Sequence, residues 1–283
     1  MKKNISNINK TQNENLVIKN FGIEWLHFDQ QKINIKELED QFNLYFSNFP
    51  WSKINKSSVG FDAGCGSGRW AYFIARKVKL IHCIEPSEAI INCKKLLKSY
   101  RNCIFHNTSI QNMYLRNNSM DFGYCLGVLH HTEDPKKNLN ICVKKLKKGA
   151  PFLIYVYYSL DSKPFHYKFL WRISNIFRII ISNLPFFLKK NITFIIALTI
   201  YFPLSRFSYF VNFFGIDSKF LPLSNYKNKS FLTLKTDAYD RFTTKIEKRY
   251  SKDEVVQMMK LSGLNNIIVN DHQPFWTAIG YKI

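Results

Sequence analysis

Three glycines at alternate positions, from Gly64 to Gly68, follow a short apolar run that ends in Asp62. Glycine tolerates positive φ and leaves main-chain N–H groups bare, so a polar ligand can lie directly against the backbone. The next apolar run, residues 80–84, ends in Glu85, and a carboxylate at a strand tip can accept hydrogen bonds from both hydroxyls of a ribose. This order of strand, glycine turn, helix, strand and acid predicts a nucleoside site in a βαβ unit.

The spacing of the glycines distinguishes this turn from the usual nicotinamide-dinucleotide fingerprint. That fingerprint is G-x-G-x-x-G, whereas here the glycines alternate, and Arg69 and Trp70 occupy the next two places. The run from Asp62 to Gly68 resembles the first motif, D-x-G-x-G-x-G, of the class I S-adenosylmethionine-dependent methyltransferases. There are two alternatives to this interpretation. The segment could be a plain turn between a strand and a helix, or it could bind a nicotinamide dinucleotide.

A second run, residues 117–131, strengthens the resemblance, since it holds a turn, an apolar strand and then the sequence GVLHH. The family commonly has a run of the form D-x-x-x-x-x-x-x-L-H-H, which lines the methionine end of the ligand. Because histidine titrates near neutrality, His130 or His131 is a candidate base for an acceptor that must lose a proton. Alternatively, the two histidines only shape the cleft wall. They are adjacent and lack the i, i+4 spacing of a zinc pair, so no metal site is expected.

The resemblance implies S-adenosylmethionine as the cofactor and a set of candidate residues that bind it. One position departs from the family: where an acidic residue usually meets the adenine, this chain has Ser109, followed by Ile110. The complete candidate set is Asp62, Gly64, Cys65, Gly66, Ser67, Gly68, Glu85, Pro86, Ser109, Ile110, Gly127 and Leu129.

The elements around these motifs predict an α/β fold with a Rossmann-like, doubly wound sheet and an inserted helical subdomain. After Glu85 we expect a helix with Ser87 as its N-cap, then strands near residues 103–105, 120–126 and 151–157. The sheet should be mostly parallel, because helical patterns separate these strands.

The C-terminal part of the chain predicts the antiparallel edge strand of this sheet. A capping box at residues 251–254 begins a helix, and Gly263 follows its end. Residues 266–269 and 275–281 are two further apolar runs. In the resembled class, such runs form a hairpin at the sheet edge with the last strand antiparallel.

Composition limits the class of protein and its partners. A chain of 283 residues allows one large domain, or one domain with an insertion. The formal net charge of +21 suggests an anionic partner such as acidic lipid, nucleic acid or an anionic substrate, unless the lysines are spread over solvated faces. Six cysteines without a C-x-x-C pair are expected to be reduced core residues of a cytoplasmic protein, and the polar N-terminus has no apolar signal segment.

The N-terminal 56 residues predict a helical cap. Residues 1–14 are polar and expected to be disordered, and a helix is expected over residues 35–46. Between them lies an aromatic cluster at residues 21–28. Because N-terminal helices of the resembled class cover the ligand cleft, Trp25 is a candidate for the acceptor side; simple core packing is the alternative.

Residues 162–216 differ from the rest of the chain. They include no Asp or Glu, seven Lys or Arg, and fifteen aromatics. Lys190 and Arg206 bracket fifteen uncharged residues, ~22 Å of helix against a ~30 Å hydrocarbon core, and Pro203 is expected to interrupt the helix. The segment is therefore not expected to span a membrane. It could pack over the cleft, lie among anionic lipid head groups, or stack nucleic-acid bases, although no RNA module accompanies it.

These patterns predict three parts: a cap (1–56), a donor-binding domain (57–160 with 245–283) and an inserted lid for the acceptor (161–244). In the lid, Tyr239 and Arg241 could form a polar rim, or an ordinary salt-bridge cluster. The resemblance implies direct in-line methyl transfer to a small-molecule, glycan or lipid-linked acceptor. The alternative is a membrane-surface or partner-binding module that keeps the fold without turnover.

Overall fold

The computed structural model describes residues 16–23, 34–160, 164–218 and 221–283. The chain separates into two compact units, Met1–Ser159 with Ile246–Ile283 and, between these segments, Leu160–Lys245. The predicted disordered segment 1–14 and residue Trp25 lie outside the described residues.

The first unit contains a seven-stranded sheet in the order β3-β2-β1-β4-β5-β7-β6. Strands β1 to β5 pair in parallel, and β7 is antiparallel to both β5 and β6. The predicted doubly wound, mostly parallel sheet with a C-terminal edge hairpin is therefore confirmed. The strands are β1 Val59–Ala63, β2 Leu80–Ile84, β3 Cys103–His106, β4 Phe122–Leu126, β5 Pro151–Tyr155, β6 Leu264–Val269 and β7 Thr277–Lys282.

Helices cover both faces of this sheet. They are α1 Ile35–Tyr45, α2 Arg69–Ala75, α3 Ala89–Leu96, α4 Pro135–Lys145 and α9 Lys252–Leu261, and residues 16–23 are also helical. Both hydrogen bonds of the predicted capping box at the start of α9 are present: the Ser251 hydroxyl accepts from the N–H of Glu254, and the Glu254 carboxylate accepts from the N–H of Ser251. The N-cap of α3, however, is Glu88 and not Ser87; the Ser87 hydroxyl accepts from the N–H of Ala89 at 3.2 Å.

The core lies on both sides of β1 and β4. On one side, Phe61 and Phe152 pack with Leu139 of α4 and Met258 of α9. These side chains are fully or almost fully buried, which makes the centre of the sheet rigid. The carboxyl ends of the parallel strands, where the glycine turn lies, are therefore held by a well-packed support.

The second unit is a bundle of helices. They are α5 Phe165–Ser182, α6 Phe186–Ile196, α7 Phe202–Phe213 and α8 Phe231–Thr243. A π turn, Ala197–Tyr201, joins α6 to α7 without a break. The interior of the bundle is formed by Ile181, Ala197, Tyr201, Leu234, Ala238 and Phe242.

The expectation that Pro203 interrupts the helix is wrong. The helix runs from Phe186 to Phe213 over 28 residues, ~42 Å at 1.5 Å per residue. Proline removes an N–H donor and its ring crowds the carbonyl four residues earlier, here that of Thr199. The π turn lies at that position and gives the ladder the extra width, so the helix continues. By length and composition, this is one helix within the described residues that could cross a membrane.

A histidine pair between β2 and β3 predicts acid sensitivity. His82 Nδ1 lies 2.9 Å from His106 Nε2. Burial, and then the charge of His106, lowers the pKa of His82 to about 4, and burial lowers that of His106. Between pH 6.5 and 4 the unfolded chain therefore binds protons that the folded chain does not, so the stability present above pH 6.5 is lost as the pH falls.

When the pH is lowered from 7.5 to 5.0, the free energy of unfolding falls in the wild type. We expect this fall to be about 1 kcal/mol smaller in His82→Gln. The value is discounted for solvent screening because His82 is only half-buried. Urea denaturation at the two pH values measures this difference. The exposed His272→Gln is the control and should behave as the wild type. Equal acid losses in wild type and His82→Gln would contradict the assignment.

Candidate active site

The glycine turn has a backbone that requires glycine. Gly64, Gly66 and Gly68 have φ of +81°, +52° and +85°, all in the left-handed region. The N–H groups of Gly64 and Cys65 donate to the Ile84 carbonyl at 2.8 and 3.0 Å, so the turn is tied to the end of β2. Gly68 is the N-cap of α2, which places the start of that helix at the turn.

Gly64 is also required by a close contact with the loop after β4. A Cβ built on Gly64 would lie 2.4 Å from Cγ2 of Val128. The main chain of the turn thus packs directly against the GVLHH segment. By contrast, Gly127 has φ of +80°, and a Cβ there would meet nothing within 4 Å. Open space therefore adjoins the tip of β4.

Glu85 joins the glycine turn to the end of β2. Its Oε2 accepts from the N–H of Gly66 at 3.0 Å, and its Oε1 accepts from the N–H of Ser87 at 3.0 Å and from the Ser87 hydroxyl. Burial raises the pKa of Glu85, and the hydrogen bonds from Ser87 and Gly66 oppose that shift. A carboxylate has about four acceptor positions, so these three bonds leave room for about one further donor, fewer than the two ribose hydroxyls expected from the sequence.

Asp62, the first residue of the motif, is buried beneath the turn. Burial raises its pKa well above the usual range, and the hydroxyl of Tyr124 opposes the shift. Oδ2 of Asp62 and the hydroxyl of Tyr124 have no hydrogen-bond partner of normal geometry within the described residues. The Ser67 hydroxyl in the turn is likewise buried and unpartnered there. The Ser67 hydroxyl, an unpaired polar atom at a turn of bare backbone, fits a polar ligand.

The side chain of Cys65 turns into the protein interior. Its Sγ lies 3.7 Å from Sγ of Cys93, and with Cys83 the three sulfur atoms lie within 4.8 Å of one another. All six cysteines are free. The neighbouring thiols of Cys65 and Cys83 lower the pKa of Cys93 to about 5. Sequence reasoning missed this cluster, because its members come from the turn, β2 and α3 and have no characteristic spacing.

The remaining candidate donor-binding residues lie at the ends of β2, β3 and β4. Pro86 follows Glu85 and is partly buried, and Ser109 begins a 3₁₀ turn, Ile110–Asn112. The side chains of Ile110 and Leu129 belong to the main core. Asn107 was missed in the sequence: its amide donates to the Glu85 carbonyl at 3.0 Å and so fixes the strand end that carries the acid.

His130 and His131 are both buried. Neither ring nitrogen of His130 has a hydrogen-bond partner within the described residues, and its ring centroid is 3.9 Å from that of Tyr157. Burial, followed by the charges of His131 and Arg249, lowers the pKa of His130 well below its usual range. His131 Nδ1 lies 2.7 Å from the carbonyl oxygen of Ile246. His130 is therefore a neutral imidazole at pH 7.

A segment far away in the sequence, Ile246–Tyr250, lies against these histidines. The N–H of Lys248 donates to the His130 carbonyl at 2.9 Å, and its ammonium donates to the Thr132 carbonyl at 3.0 Å. Arg249 pairs with Glu247 at 2.8 Å, and its guanidinium is 5.3 Å from the Tyr157 ring. No motif marks this segment, and it was missed in the sequence.

The helical segment 16–23 contacts both ends of the site. The Phe21 ring centroid is 5.2 Å from that of His131. A Cβ built on Gly22 would lie 3.1 Å from Cβ of Ser87, so the backbone of this segment approaches closely the residue that holds Glu85. The aromatic cluster seen in the sequence therefore begins at the candidate site.

Tyr239 and Arg241 lie within α8 of the second unit. Tyr239 is buried, with its ring centroid 6.4 Å from that of Phe186. Arg241 donates to the Ser174 hydroxyl at 3.1 Å, and its guanidinium is 5.8 Å from the Trp171 ring. Both side chains therefore make contacts inside the helical bundle.

Comparison with known proteins agrees with this geometry. Residues 61–154 match a family described as a methyltransferase domain. None of the curated proteins matches the sequence. A solved structure from Bordetella parapertussis, described as a possible exported protein, is similar with a TM-score of 0.50 at 11% identity, over 86% of this chain and 67% of that one. At this identity the likeness concerns the fold alone.

Two further solved structures are similar over shorter stretches. One is a Galdieria sulphuraria protein, described provisionally as a sarcosine dimethylglycine methyltransferase (21% identity, TM-score 0.38), over 41% of this chain and 46% of that one. The other is phosphoethanolamine N-methyltransferase 1 of Haemonchus contortus, bound to phosphoethanolamine and S-adenosylhomocysteine (14% identity, TM-score 0.42), over 51% of this chain and 33% of that one. The chain thus spans less than half the length of either protein.

The matched segment contains the glycine turn, Glu85 and the GVLHH run, and the sheet around it is mostly parallel with an antiparallel edge hairpin, as expected. Residues 61–154 are therefore a methyltransferase domain, set in a mostly parallel sheet of the expected kind. The turn offers bare backbone, a buried acid and an unpaired hydroxyl, which fit S-adenosylmethionine as a ligand.

Proposed function

We propose that this protein transfers the methyl group of S-adenosylmethionine directly to a small-molecule, glycan or lipid-linked acceptor. The observation that carries the proposal is the glycine turn held by Glu85 inside a matched methyltransferase domain. The donor supplies an electrophilic methyl group on a sulfonium, so the main task of the protein is to hold donor and acceptor in line.

In this proposal, four regions hold the donor. The turn from Asp62 to Gly68 lies against the methionine and ribose, and Glu85 with Pro86 binds the ribose. Ser109 and Ile110 meet the adenine, and Gly127 and Leu129 line the methionine end. The open space at Gly127 and the unpartnered Ser67 hydroxyl support this assignment. Calorimetry with S-adenosylmethionine tests it, and absence of binding to the purified protein would count against it.

For acceptors with a hydroxyl group, we propose His130 as the base that takes the proton, with His131 beside it as the second candidate. The neutral, unpartnered imidazole of His130 supports this role. We expect His130→Asn to lower kcat by about 100-fold, a typical contribution of general-base catalysis, and to leave the Kd for S-adenosylmethionine within about twofold. A labelled-methyl transfer assay and calorimetry measure the two quantities.

The control for this prediction is His272→Asn, an exposed histidine that should leave both quantities unchanged. If His130→Asn weakens donor binding as much as turnover, the residue only shapes the cleft wall. If kcat is unchanged, the acceptor needs no base at this position.

For the domain organisation, we propose a cap at residues 1–56, a donor domain at 57–160 with 245–283, and an inserted acceptor subdomain at 161–244. The division into two compact units supports the second and third of these. Tyr239 and Arg241, with Trp25, are the proposed acceptor-side residues. We further propose that the protein works in the cytoplasm, in contact with the inner face of a membrane.

The competing function is a binding module that keeps the fold but has no turnover. A screen that follows labelled methyl groups from the donor into extracts of metabolites, glycans and lipids separates the two. Transfer to any acceptor supports the enzyme. Tight donor binding together with no transfer in every fraction would favour the binding module.

A further inference from the structure

A surface helix of a water-soluble protein usually buries its apolar side and exposes its polar side. The long helix Phe186–Phe213 does the opposite. Its buried positions recur every three or four residues and are mainly small or polar: Lys189, Thr193, Ala197, Tyr201, Ser205 and Ser208. Its exposed side chains include Phe187, Leu188, Phe194, Ile195, Leu198, Ile200, Phe202, Phe207, Tyr209, Phe210 and Phe213. A helix surface of this kind is suited to an apolar environment outside the bundle.

Helix α5 shows the same reversal. Its buried residues are Arg178, Ile181 and Ser182, and Arg178 donates to the Thr244 carbonyl at 2.6 Å inside the bundle. Its exposed large apolar side chains are Phe165, Phe169, Leu170, Ile173, Ile176, Phe177, Ile179 and Ile180. Two neighbouring elements of one unit therefore share the property, which an isolated exposed side chain would not indicate.

The charge around these side chains has one sign. Residues 162–216 carry seven Lys or Arg and no Asp or Glu. Arg172 is exposed on α5, and Lys168 and Lys190 are partly exposed. Lysine and arginine can keep their charged ends in water while their stems lie along an apolar surface. Exposed aromatic and aliphatic side chains bordered by cations are typical of surfaces that enter the head-group region of anionic membranes.

We propose that the exposed sides of α5 and the long helix, named here the apolar face, dock on the surface of an anionic lipid bilayer. The aromatic and aliphatic side chains enter the boundary between head groups and acyl chains, and the cations contact lipid phosphates. Docking and not spanning is favoured because the fifteen uncharged residues between Lys190 and Arg206 cover ~22 Å, less than the ~30 Å of a hydrocarbon core.

Charge also favours a bilayer over a second copy of the chain. A symmetric dimer through the apolar face would bring two basic surfaces together without an acidic residue from 162–216 to pair with them. An anionic bilayer supplies both the apolar volume and the negative charge.

The docked position has a consequence for the substrate class, and this part rests on the proposed function. An enzyme held at the membrane meets acceptors that are themselves anchored in lipid at high local concentration. Among the proposed acceptors, the apolar face therefore favours the lipid-linked one.

The test is flotation of the full-length protein with vesicles of phosphatidylcholine that contain, or lack, phosphatidylglycerol. We expect the wild type to float with the anionic vesicles and to bind the neutral ones at least about tenfold more weakly. The double variant Phe187→Glu/Phe213→Glu changes two side chains that are 70% and 76% exposed. It should lose at least about 100-fold in partitioning, since two aromatic contacts are replaced by charges repelled by the lipid.

The matched control is Tyr114→Glu/Leu261→Glu, which makes the same charge change at side chains 87% and 69% exposed in the first unit. It should float as the wild type does. Circular dichroism and thermal melting of both double variants show whether each keeps the helical content and stability of the wild type, independently of lipid.

Three results would overturn the proposal. The first is that the wild-type protein does not float with anionic vesicles at low salt. The second is that both double variants lose flotation to the same extent. The third is a wild-type dimer or protein complex in sedimentation that dissociates in Phe187→Glu/Phe213→Glu and never binds vesicles. Flotation without methyl transfer to any acceptor would leave the docking in place and contradict the proposed function instead.

Discussion

Gly64→Ala is expected to raise the Kd for S-adenosylmethionine by at least about 100-fold. Residue 64 has φ of +81°, where an alanine costs roughly 1–2 kcal/mol. Its Cβ would also lie 2.4 Å from Cγ2 of Val128, so the turn and the loop after β4 must move apart. The turn and the loop both contain candidate contacts to the methyl donor. A displacement on the order of 1 Å in an element that positions a ligand can weaken its function by about 100-fold. Calorimetry measures the Kd.

Two variants separate the steric effect from the backbone effect. Gly149→Ala has a similar φ of +75°, but its Cβ meets nothing within 4 Å, so it should lose stability while it keeps donor affinity. Gly64→Ala/Val128→Ala removes the two γ carbons that the new Cβ would meet at 2.4 and 3.0 Å, and leaves only the Cβ of residue 128 at 3.2 Å. It should recover at least about tenfold in affinity. A double variant no better than Gly64→Ala would show that the contact with Val128 is not the cause.

The second large effect is expected at Glu85. In Glu85→Gln one acceptor oxygen becomes an NH₂ donor, which must face the N–H of Gly66 or the N–H of Ser87. An opposed pair of donors in a buried position costs about 1–3 kcal/mol, and the charge that would meet a ribose hydroxyl is lost as well. We expect the Kd for S-adenosylmethionine to rise by about 100-fold, measured by calorimetry.

Glu88→Gln is the matched control, because it makes the same chemical change at an exposed position three residues away. It should bind the donor as the wild type does. Circular dichroism and thermal melting show whether Glu85→Gln keeps the fold. A folded Glu85→Gln whose affinity lies within about threefold of the wild type would contradict the role of this carboxylate.

Much of the donor side could be predicted from the sequence, because the information is local. Alternating glycines between an apolar run and a helix leave few backbone conformations, and the observed φ values of Gly64, Gly66 and Gly68 are positive as that pattern requires. The seven strands were expected within a few residues of their observed bounds, because apolar runs and breakers mark them. The capping box of α9 likewise specifies its own hydrogen bonds within four residues.

The second unit shows where local reasoning failed. The sequence indicated that Pro203 would break the helix, since proline disfavours the α-helical ladder. The structure keeps the helix through the π turn Ala197–Tyr201, and the packing of that helix against α8 determines which of its sides is buried. A sequence pattern with apolar residues around most of the helix does not specify this choice.

By itself, the sequence determined the βαβ unit, its glycine turn and the acid at the end of β2, because each depends on backbone preferences within a few neighbouring residues. Only the tertiary structure decided that His130 is neutral and unpartnered, that Glu85 already holds the turn, and that Ile246–Tyr250 lies against the histidines. One of these contacts joins residues 115 positions apart. Their pKa values and hydrogen bonds follow from burial and distance, which only the packed chain defines.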